Sequence, residues 1–366
     1  MLIMGPRPLI TIVVPVYKVP YPLLRRSLES ICAQTTDGFE AILIDDGSPD
    51  DCGKICDSYA AKHPYMRVIH QPNGGLSVVR NNGVDAARGD WVCFLDGDDW
   101  IEPETMAFAK DYVSQCGDGD ILIWDEYYDI GDTVKKNCFF GEEVEGTLCF
   151  EGEDREKLID RILPPKIARP QPLAIVDLGT ANARLYRKAF LKEKNVRNQP
   201  GLKRTQDNVF NLWAFHHADK VYYRCRRLYH YVYNEAAATQ RYTPGIADTM
   251  YFLYECMDEF VRKTRDTAGY HQRLYLRFLR VLSRCFELDY ANASNPKPLR
   301  QRLTEAKRDM QRPLFRDAIE KVDVEGQAFR IRLIAFLLRR RMYRCMFLLV
   351  RVNAMTRNLR LKHRKE

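Results

Sequence analysis

The sequence predicts an α/β fold with a mainly parallel sheet, followed by a helical extension. Short apolar runs alternate with segments of helical spacing throughout the first 130 residues. Strands that are apolar on both sides are typical of a parallel sheet covered by helices on both faces. A spacing of about 25 residues between the runs fits successive strand–helix–strand units. Beyond residue 245 the spacing is helical throughout.

The apolar runs and the helical spacing assign the elements in order. The apolar runs predict strands at 9–16, 41–45, 67–70, 92–96 and 121–124. Helical spacing predicts helices at 22–33, 50–62, 75–87 and 103–115. The stretch from 131 to about 175 is irregular or a hairpin and contains a proline-rich loop at 164–172. After it we expect a helix at 181–194, a helix at 206–217 and a strand at 220–233. The extension predicts helices at 246–266, 270–290, 298–320 and 327–352.

These patterns predict one domain over residues 1–240 and a helical extension over 241–366. The domain divides into a regular half at about 9–130 and a less regular half at about 131–240. The chain has 366 residues and 46% hydrophobic residues, enough to bury a sizeable core. Its eleven cysteines are scattered and odd in number, so no disulfide framework is expected. Cys52 and Cys56 lack a second pair nearby and do not predict a zinc site.

The net charge of +8 is concentrated at the C-terminus. Residues 328–366 contain twelve basic residues and one acidic residue, a net charge of +11, which leaves −3 on residues 1–327. No run of about 18 apolar residues occurs, so no membrane-spanning helix is predicted. The N-terminus has no secretory signal pattern, which favours a cytoplasmic protein.

Acidic turns follow two of the predicted strands. Asp45 and Asp46 end the second strand, and the stretch FLDGDDW brings Asp96, Asp98 and Asp99 to the end of the fourth. Ligands bind beyond the carboxyl ends of the strands in open α/β sheets. Carboxylates there suit Mg²⁺ or Mn²⁺, which can bridge to a diphosphate. The alternative is a set of surface-turn carboxylates without a ligand.

A glycine-containing turn opens the third helix, where NGGLS at 73–77 precedes Arg80. The turn resembles a phosphate loop only weakly. The dinucleotide-binding pattern GxGxxG is absent, so a dinucleotide fingerprint is excluded.

Four segments together resemble glycosyltransferase family 2, the inverting nucleotide-sugar enzymes with the GT-A fold. The segments are VPVY (14–17), IDDGSPDD (44–51), GLSVVRNNGVDAARGDWVCFLDGDDW (75–100) and TQDNVFNLWAF (205–215). The resemblance covers about residues 9–235 and is specific because the four segments occur in the family's order. It is strongest to the bacterial branch that builds capsule, exopolysaccharide or lipopolysaccharide side chains.

The resemblance implies a role for each matching residue. It implies that Tyr17 packs on the nucleotide base, that Asp46 accepts the base N–H and that Asp98 binds Mn²⁺ or Mg²⁺. The full set of residues implied for the nucleotide sugar is Pro15, Tyr17, Asp46, Arg80 and Asp96. The alternatives are that Tyr17 is a core residue and that Arg80 is a solvated helix arginine.

Asp207 is implied as the general base that deprotonates the acceptor hydroxyl. The family usually has Glu-Asp here, whereas this chain has Gln206 and Asp207. An acid in a first helical turn is also stabilised without any catalytic role, which is the structural alternative. Other departures are Lys18, where the family often has Asn, and a missing tryptophan near 180–191.

Three further residues are left open by the resemblance. His230 could be a late metal ligand or an ordinary strand histidine. Arg241 could contact the diphosphate. Asp99 could be a third site residue or only cap the following turn.

The resemblance implies transfer from a nucleotide sugar, with a UDP-sugar favoured, to a glycan or lipid-linked glycan acceptor. The alternatives are a nucleotidyltransferase and an inactive sugar-nucleotide-binding scaffold. The basic, apolar segment 327–352 predicts a helix on the anionic inner face of the cell membrane. Its predicted apolar face is formed by Ile331, Ile334, Leu338, Met342, Cys345, Leu349 and Val352. The alternative is a helix packed on its own domain. No nucleic-acid partner is expected, because no nucleic-acid-recognition motif accompanies the basic residues of 328–366.

Overall fold

The computed structural model describes residues 7–141, 144–164, 178–233 and 242–362, with side chains described up to residue 352. The chain divides into two compact units. The first unit comprises Met1–Ile162 and Gln171–Asn234, and the second comprises Leu163–Pro170 and Glu235–Glu366.

The first unit is built on one mixed sheet. Its described strands are β1 (Ile10–Val16), β2 (Phe39–Asp45), β3 (Met66–His70), β4 (Trp91–Phe94), β5 (Trp100–Ile101), β6 (Ile121–Ile130), β7 (Thr133–Asn137), β8 (Thr147–Glu151), β9 (Arg184–Arg187) and β10 (Lys220–Tyr233). Their order is β3-β2-β1-β4-β9-β6-β10-β5, with β7 beside β6 and β8 beside β10.

The half of the sheet formed by β3, β2, β1 and β4 is entirely parallel. Nearly every residue of β1 and β2 is buried, which agrees with strands covered on both faces. The predicted α/β fold is therefore confirmed. The other half is mixed: β6 and β10 are parallel, whereas β5, β7, β8 and β9 pair antiparallel.

Seven described helices belong to the first unit: α1 (Tyr21–Cys32), α2 (Cys52–Ala60), α3 (Leu76–Ala86), α4 (Thr105–Cys116), α5 (Glu156–Ile162), α6 (Lys188–Glu193) and α7 (Gln206–His217). Helix α3 packs very close to β1 at Gly83. A Cβ at Gly83 would lie 2.3 Å from Val13 Cγ1. Glycine is therefore required there, and this close approach fixes the face of α3 that carries Arg80.

The prediction of a helix at 181–194 is wrong for the first half of that segment. Arg184–Arg187 forms β9, which is inserted between β4 and β6 and pairs antiparallel with both. The backbone of this segment is hydrogen-bonded into the sheet, and only Lys188–Glu193 is helical. Within the irregular stretch predicted at 131–175, the described residues include β7, β8 and α5. The predicted proline-rich loop lies almost entirely outside the described residues.

The described helices of the second unit are α8 (Ile246–Thr264), α9 (Ala268–Cys285), α10 (Leu299–Met310), α11 (Pro313–Lys321), α12 (Phe329–Arg339) and α13 (Tyr343–Lys362). Two helices predicted as continuous are broken. Pro313 begins α11 and interrupts the segment 298–320, because proline cannot continue the preceding helix. Arg341, with a positive φ of 55°, lies at the break between α12 and α13.

The core of the second unit is aromatic and aliphatic. Tyr254 of α8 and Phe278 of α9 stack with ring centroids 3.9 Å apart, and both are fully buried. Among the described residues, no helix has the length and apolar character needed to cross a bilayer.

Candidate active site

The carboxyl ends of β1, β2 and β4 meet at one edge of the first unit. The Asp46 amide donates to the Val16 carbonyl at 2.9 Å, and the Lys18 amide donates to Ser48 Oγ at 3.2 Å. A Cβ at Gly97 would lie 2.9 Å from the Pro15 carbonyl oxygen. The turn after β4 therefore packs directly against the end of β1, as parallel strand ends at one edge should.

Asp46 is buried and holds the glycine-containing loop. One carboxylate oxygen accepts hydrogen bonds from Gln71 Nε2 (2.7 Å) and the Gly74 amide (2.8 Å), and the other accepts from the Gly75 amide (2.8 Å). Asp46 thus fixes the backbone that leads into α3. The role of Asp46 toward a nucleotide base stays a prediction.

Asp45 orients the neighbouring turn. One of its carboxylate oxygens accepts from the Ser48 amide at 2.9 Å. Its other oxygen lies 2.9 Å from His70 Nδ1. The two adjacent aspartates therefore stabilise the turn after β2 from opposite sides.

Tyr17 lies just beyond β1 with 44% of its surface exposed. A buried core position is therefore excluded for this side chain. Its ring is contacted by the ammonium of Lys18, 5.3 Å from the ring centroid. An exposed aromatic face at the end of β1 is free to stack on a ring of a ligand.

Arg80 is the most deeply buried cation of this edge and joins two segments of the candidate site. Its side chain has no exposed surface, which excludes the solvated alternative. Nη2 donates to Asp96 Oδ1 at 2.8 Å, and Nη1 donates to Asp207 Oδ1. The guanidinium also lies over the Phe94 ring, 5.2 Å from its centroid. Arg80 therefore connects the acidic turn after β4 with the beginning of α7.

Asp207 lies in the first turn of α7, as predicted. Its second carboxylate oxygen accepts from the Ala181 amide at 3.3 Å. Burial raises the pKa of the Asp207 carboxyl, while the charge and hydrogen bond of Arg80 oppose that rise. The side chain keeps 20% of its surface exposed. A carboxylate in this position can be reached by a ligand from one side.

Asp98 fits a divalent cation. Burial and the nearby charge of Asp96 raise the pKa of the Asp98 carboxyl to about 6. Among the described residues, no side chain donates a hydrogen bond or forms an ion pair with the Asp98 carboxylate. A half-buried carboxylate beside a second one is a donor set that suits Mg²⁺ or Mn²⁺.

Asp99 has a structural environment that the sequence did not predict. Its side chain is buried, and it accepts hydrogen bonds from the Tyr229 hydroxyl (2.5 Å) and the Val232 amide (2.8 Å). The same Tyr229 oxygen accepts from the Asp96 amide at 3.3 Å. Asp99 and Tyr229 therefore tie the acidic turn to β10. Sequence reasoning missed Tyr229, although its place in an apolar, aromatic strand marks it as an inward-facing polar group.

His230 is held inside the protein. Its Nδ1 lies 2.9 Å from Asp129 Oδ1, and its Nε2 lies 3.0 Å from Glu102 Oε1. Its ring stacks on Trp100 at 3.5 Å between centroids. Both ring nitrogens are therefore engaged, so this arrangement favours the strand histidine over the metal ligand. Arg241 lies outside the described residues.

Residues 11–143 match the model of the family described as "Glycosyl transferase family 2". Over this segment the chain belongs to glycosyltransferase family 2.

Relatives of this glycosyltransferase cover most of its length. It is 27% identical over 320 residues to EpsH of Bacillus subtilis, itself assigned as a glycosyltransferase by prediction, covering 86% of each chain. It is 31% identical over 280 residues to the glycosyltransferase GlyA of Streptococcus pneumoniae, covering 74% of this chain and 37% of GlyA.

The fold of this glycosyltransferase is similar to that of TarS of S. aureus, crystallised as residues 1–349 with UDP. The TM-score is 0.61 at 19% identity, over 95% of this chain and 91% of that one. The GT-A fold is therefore confirmed. The family match ends before α7, so it includes Asp98 but not Asp207.

Proposed function

We propose that this glycosyltransferase transfers a sugar, with inversion, from a UDP-sugar to a hydroxyl of a glycan or lipid-linked glycan acceptor. Its role would lie in the synthesis of a bacterial surface polysaccharide. The observation that carries the proposal is the bridge from Arg80 to both Asp96 and Asp207. One guanidinium thereby connects the candidate base to the acidic turn that is proposed to bind the donor.

The donor class is supported by two sources. TarS was crystallised with UDP and also with UDP-GlcNAc, and its fold is shared. In this chain, exposed Tyr17 is available to stack on a uracil ring, and Asp46 fixes the loop beside it. The proposed donor contacts also include Pro15 at the end of β1 and Asp96 toward the ribose.

The surface-polysaccharide role is also argued from relatives. The chain is 41% identical over 106 residues to the succinoglycan biosynthesis protein ExoW of Rhizobium meliloti. That match covers 27% of this chain and 32% of ExoW, so it supports the class of pathway rather than a particular acceptor.

The proposed reaction is a single displacement. The Asp207 carboxylate takes the proton from the acceptor hydroxyl, and the acceptor oxygen forms a bond to the anomeric carbon. The bond from that carbon to the diphosphate breaks at the opposite face, and the electron pair leaves with the nucleotide. Arg80 opposes the rise that burial causes in the pKa of Asp207, and its hydrogen bond fixes the direction of the carboxylate.

Asp98 is the residue proposed to hold Mg²⁺ or Mn²⁺. A cation there would neutralise the charge of the diphosphate as it leaves. The Asp98 carboxylate offers oxygen atoms, which suit Mg²⁺ or Mn²⁺ better than thiophilic ions.

The experiment that tests the proposed function is a donor screen. The purified chain would be incubated with a panel of UDP- and other nucleotide sugars, with and without Mn²⁺, and free nucleotide would be detected by mass spectrometry. We expect metal-dependent release from one UDP-sugar. Release from no nucleotide sugar, with UDP bound, would favour the inactive scaffold. Pyrophosphate release from a nucleoside triphosphate and a sugar phosphate would favour the nucleotidyltransferase.

We also propose that the second unit binds the anionic inner face of the cell membrane. Large apolar side chains and arginines are exposed together along α12 and the start of α13. The exposed apolar residues are Phe329, Phe336, Met342, Leu348 and Val352, and the exposed arginines are Arg330, Arg332, Arg339, Arg340, Arg341, Arg344 and Arg351. A surface of this mixture suits a bilayer interface.

The exposed apolar surface matches the predicted helical face only in part, at Met342 and Val352. Ile334 and Leu338 of the predicted face are buried in the second unit, whereas Phe336 and Leu348, outside that face, are exposed. The segment therefore packs on its own unit through one face and exposes another face to solvent. A membrane-bound enzyme could meet a lipid-linked acceptor there.

A further inference from the structure

A second cluster of ligating atoms lies in the first unit, formed by Asp125, Cys138 and Cys225. One carboxylate oxygen and the two sulfurs lie within 4.8 Å of one another. Asp125 belongs to β6, Cys138 directly follows β7, and Cys225 belongs to β10. Because β6 pairs with both other strands, three separate parts of the chain supply the cluster. None of these residues has a role in the proposed sugar transfer.

The backbone at Cys225 is irregular in a way that brings its sulfur to the cluster. The register between β10 and β6 shifts between Tyr223 and Arg227, which is the segment that contains Cys225. Irregularities of this kind redirect side chains that regular alternation would point elsewhere.

The Asp125 carboxylate is fully buried and held in a fixed orientation. The Phe139 amide donates to one of its oxygens and the Tyr223 hydroxyl donates to the other, both at 2.8 Å. A carboxylate offers about four lone-pair positions, so each oxygen can accept a further partner. Oriented carboxylates of this type are typical of metal sites with an ordered outer shell.

The charges near the cluster would balance around a divalent cation. Arg227 Nη2 lies 2.9 Å from Cys138 Sγ and can donate to it. Two thiolates, one carboxylate and one guanidinium carry a net charge of −2, which a divalent ion neutralises. A buried group of charges is tolerated only when it is compensated in this way.

We propose that Asp125, Cys138 and Cys225 bind Zn²⁺ as a site that joins β6, β7 and β10. Thiolate sulfurs select zinc over the hard cations proposed for Asp98. The Gly141 carbonyl oxygen, 4.0 Å from Cys225 Sγ, is a candidate for the fourth position.

Binding exchanges protons for the metal. Each S–H bond would be replaced by an S–Zn bond, and the proton would leave to solvent. Zinc affinity should therefore increase as the pH rises.

Zinc content tests the proposal. After equilibration with Zn²⁺ and removal of the excess, elemental mass spectrometry should find about one zinc ion per folded chain. Cys138→Ser and Cys225→Ser should lose it. Cys149→Ser, on exposed β8, should keep it, and Asp98→Asn should keep it too. Equal zinc content in all four variants, or none in the wild type, would overturn the site.

Cobalt substitution keeps the test independent of variants that fail to fold. The wild-type chain loaded with Co²⁺ should show intense absorption from sulfur-to-cobalt charge transfer, and added Zn²⁺ should remove it. A cobalt spectrum without that absorption would contradict thiolate ligation. A Cys138–Cys225 disulfide found by peptide mapping of the freshly purified chain would contradict it as well.

Discussion

Arg80 and Asp207 form an ion pair although 127 positions separate them in the sequence. Arg80 has no exposed surface, and its Nη2 donates a hydrogen bond to Asp96. One buried guanidinium therefore determines both the position of the proposed base and the position of the acidic turn. The predictions for the active site depend on this arrangement.

Removing the charge of Arg80 should change the pH dependence of transfer. Arg80 lowers the pKa of Asp207 against the effect of burial, so Arg80→Met should raise that pKa. The base is active only when ionised, so the acidic limb of the kcat profile should move to higher pH. We also expect a loss of at most about 3–5 kcal/mol in the free energy of unfolding, since two half-buried carboxylates lose their partner.

Arg67→Met is the matched control for Arg80→Met. Arg67 pairs with buried Glu40 on β2, away from the acidic turn. It should lower stability without moving the pH profile. An unchanged profile in folded Arg80→Met would contradict the proposed action of Arg80 on the base.

Metal binding should weaken as the pH falls through about 6, because the pKa of Asp98 is raised to about 6 by burial and by Asp96. Below that pH a proton competes with the cation for the carboxylate. Calorimetric titration with Mn²⁺ at pH 5 and pH 7.5 would measure the change. Asp98→Asn should abolish Mn²⁺ binding at both pH values. The control Asp51→Asn, at an exposed position, should leave binding unchanged. Equal Mn²⁺ affinity at both pH values would contradict the assignment.

Tyr229→Phe should destabilise the acidic turn. Without the hydroxyl, buried Asp99 loses its side-chain donor and the Asp96 amide loses an acceptor. An unsatisfied buried group costs about 1–3 kcal/mol, which urea denaturation would detect. Tyr222→Phe, on the same strand, removes a hydroxyl whose hydrogen bond to Asp118 is exposed to solvent, and it should change stability little. Equal effects of the two substitutions would argue against a special role for Tyr229.

The membrane proposal is tested by substituting exposed residues, not by deleting the tail. Deleting residues 328–366 would also remove buried side chains such as Leu338 and Met346, and would damage the second unit. Phe329→Ser combined with Phe336→Ser should instead reduce co-sedimentation with vesicles that contain anionic lipid. Each basic residue contributes about 1 kcal/mol near such a surface, so binding should also fall with added salt. Equal binding to neutral vesicles would refute the electrostatic part.

The parallel half of the sheet was predictable because β1 and β2 are apolar on both faces. Strand β9 was not, because RLYR at 184–187 lies within a segment of helical spacing and becomes a strand only through pairing with β4 and β6. The break at Pro313 was marked in the sequence and should have been predicted.

The site residues could be identified from motifs, but their partners could not. Motif order pointed to Asp98 and Asp207 one by one. The contact between Arg80 and Asp207 depends on how α3 and α7 are arranged on the sheet, which no local pattern encodes. The same holds for Asp99, whose partner Tyr229 is supplied by the last strand of the sheet.

Asp207→Asn tests the central claim most directly. UDP binding and sugar transfer would be measured on the same preparation, by calorimetry and by product detection. We predict nearly unchanged UDP affinity with transfer reduced about 10²- to 10⁴-fold, the loss expected for a general base. Transfer at close to the wild-type rate, or a loss of UDP binding together with transfer, would contradict the account.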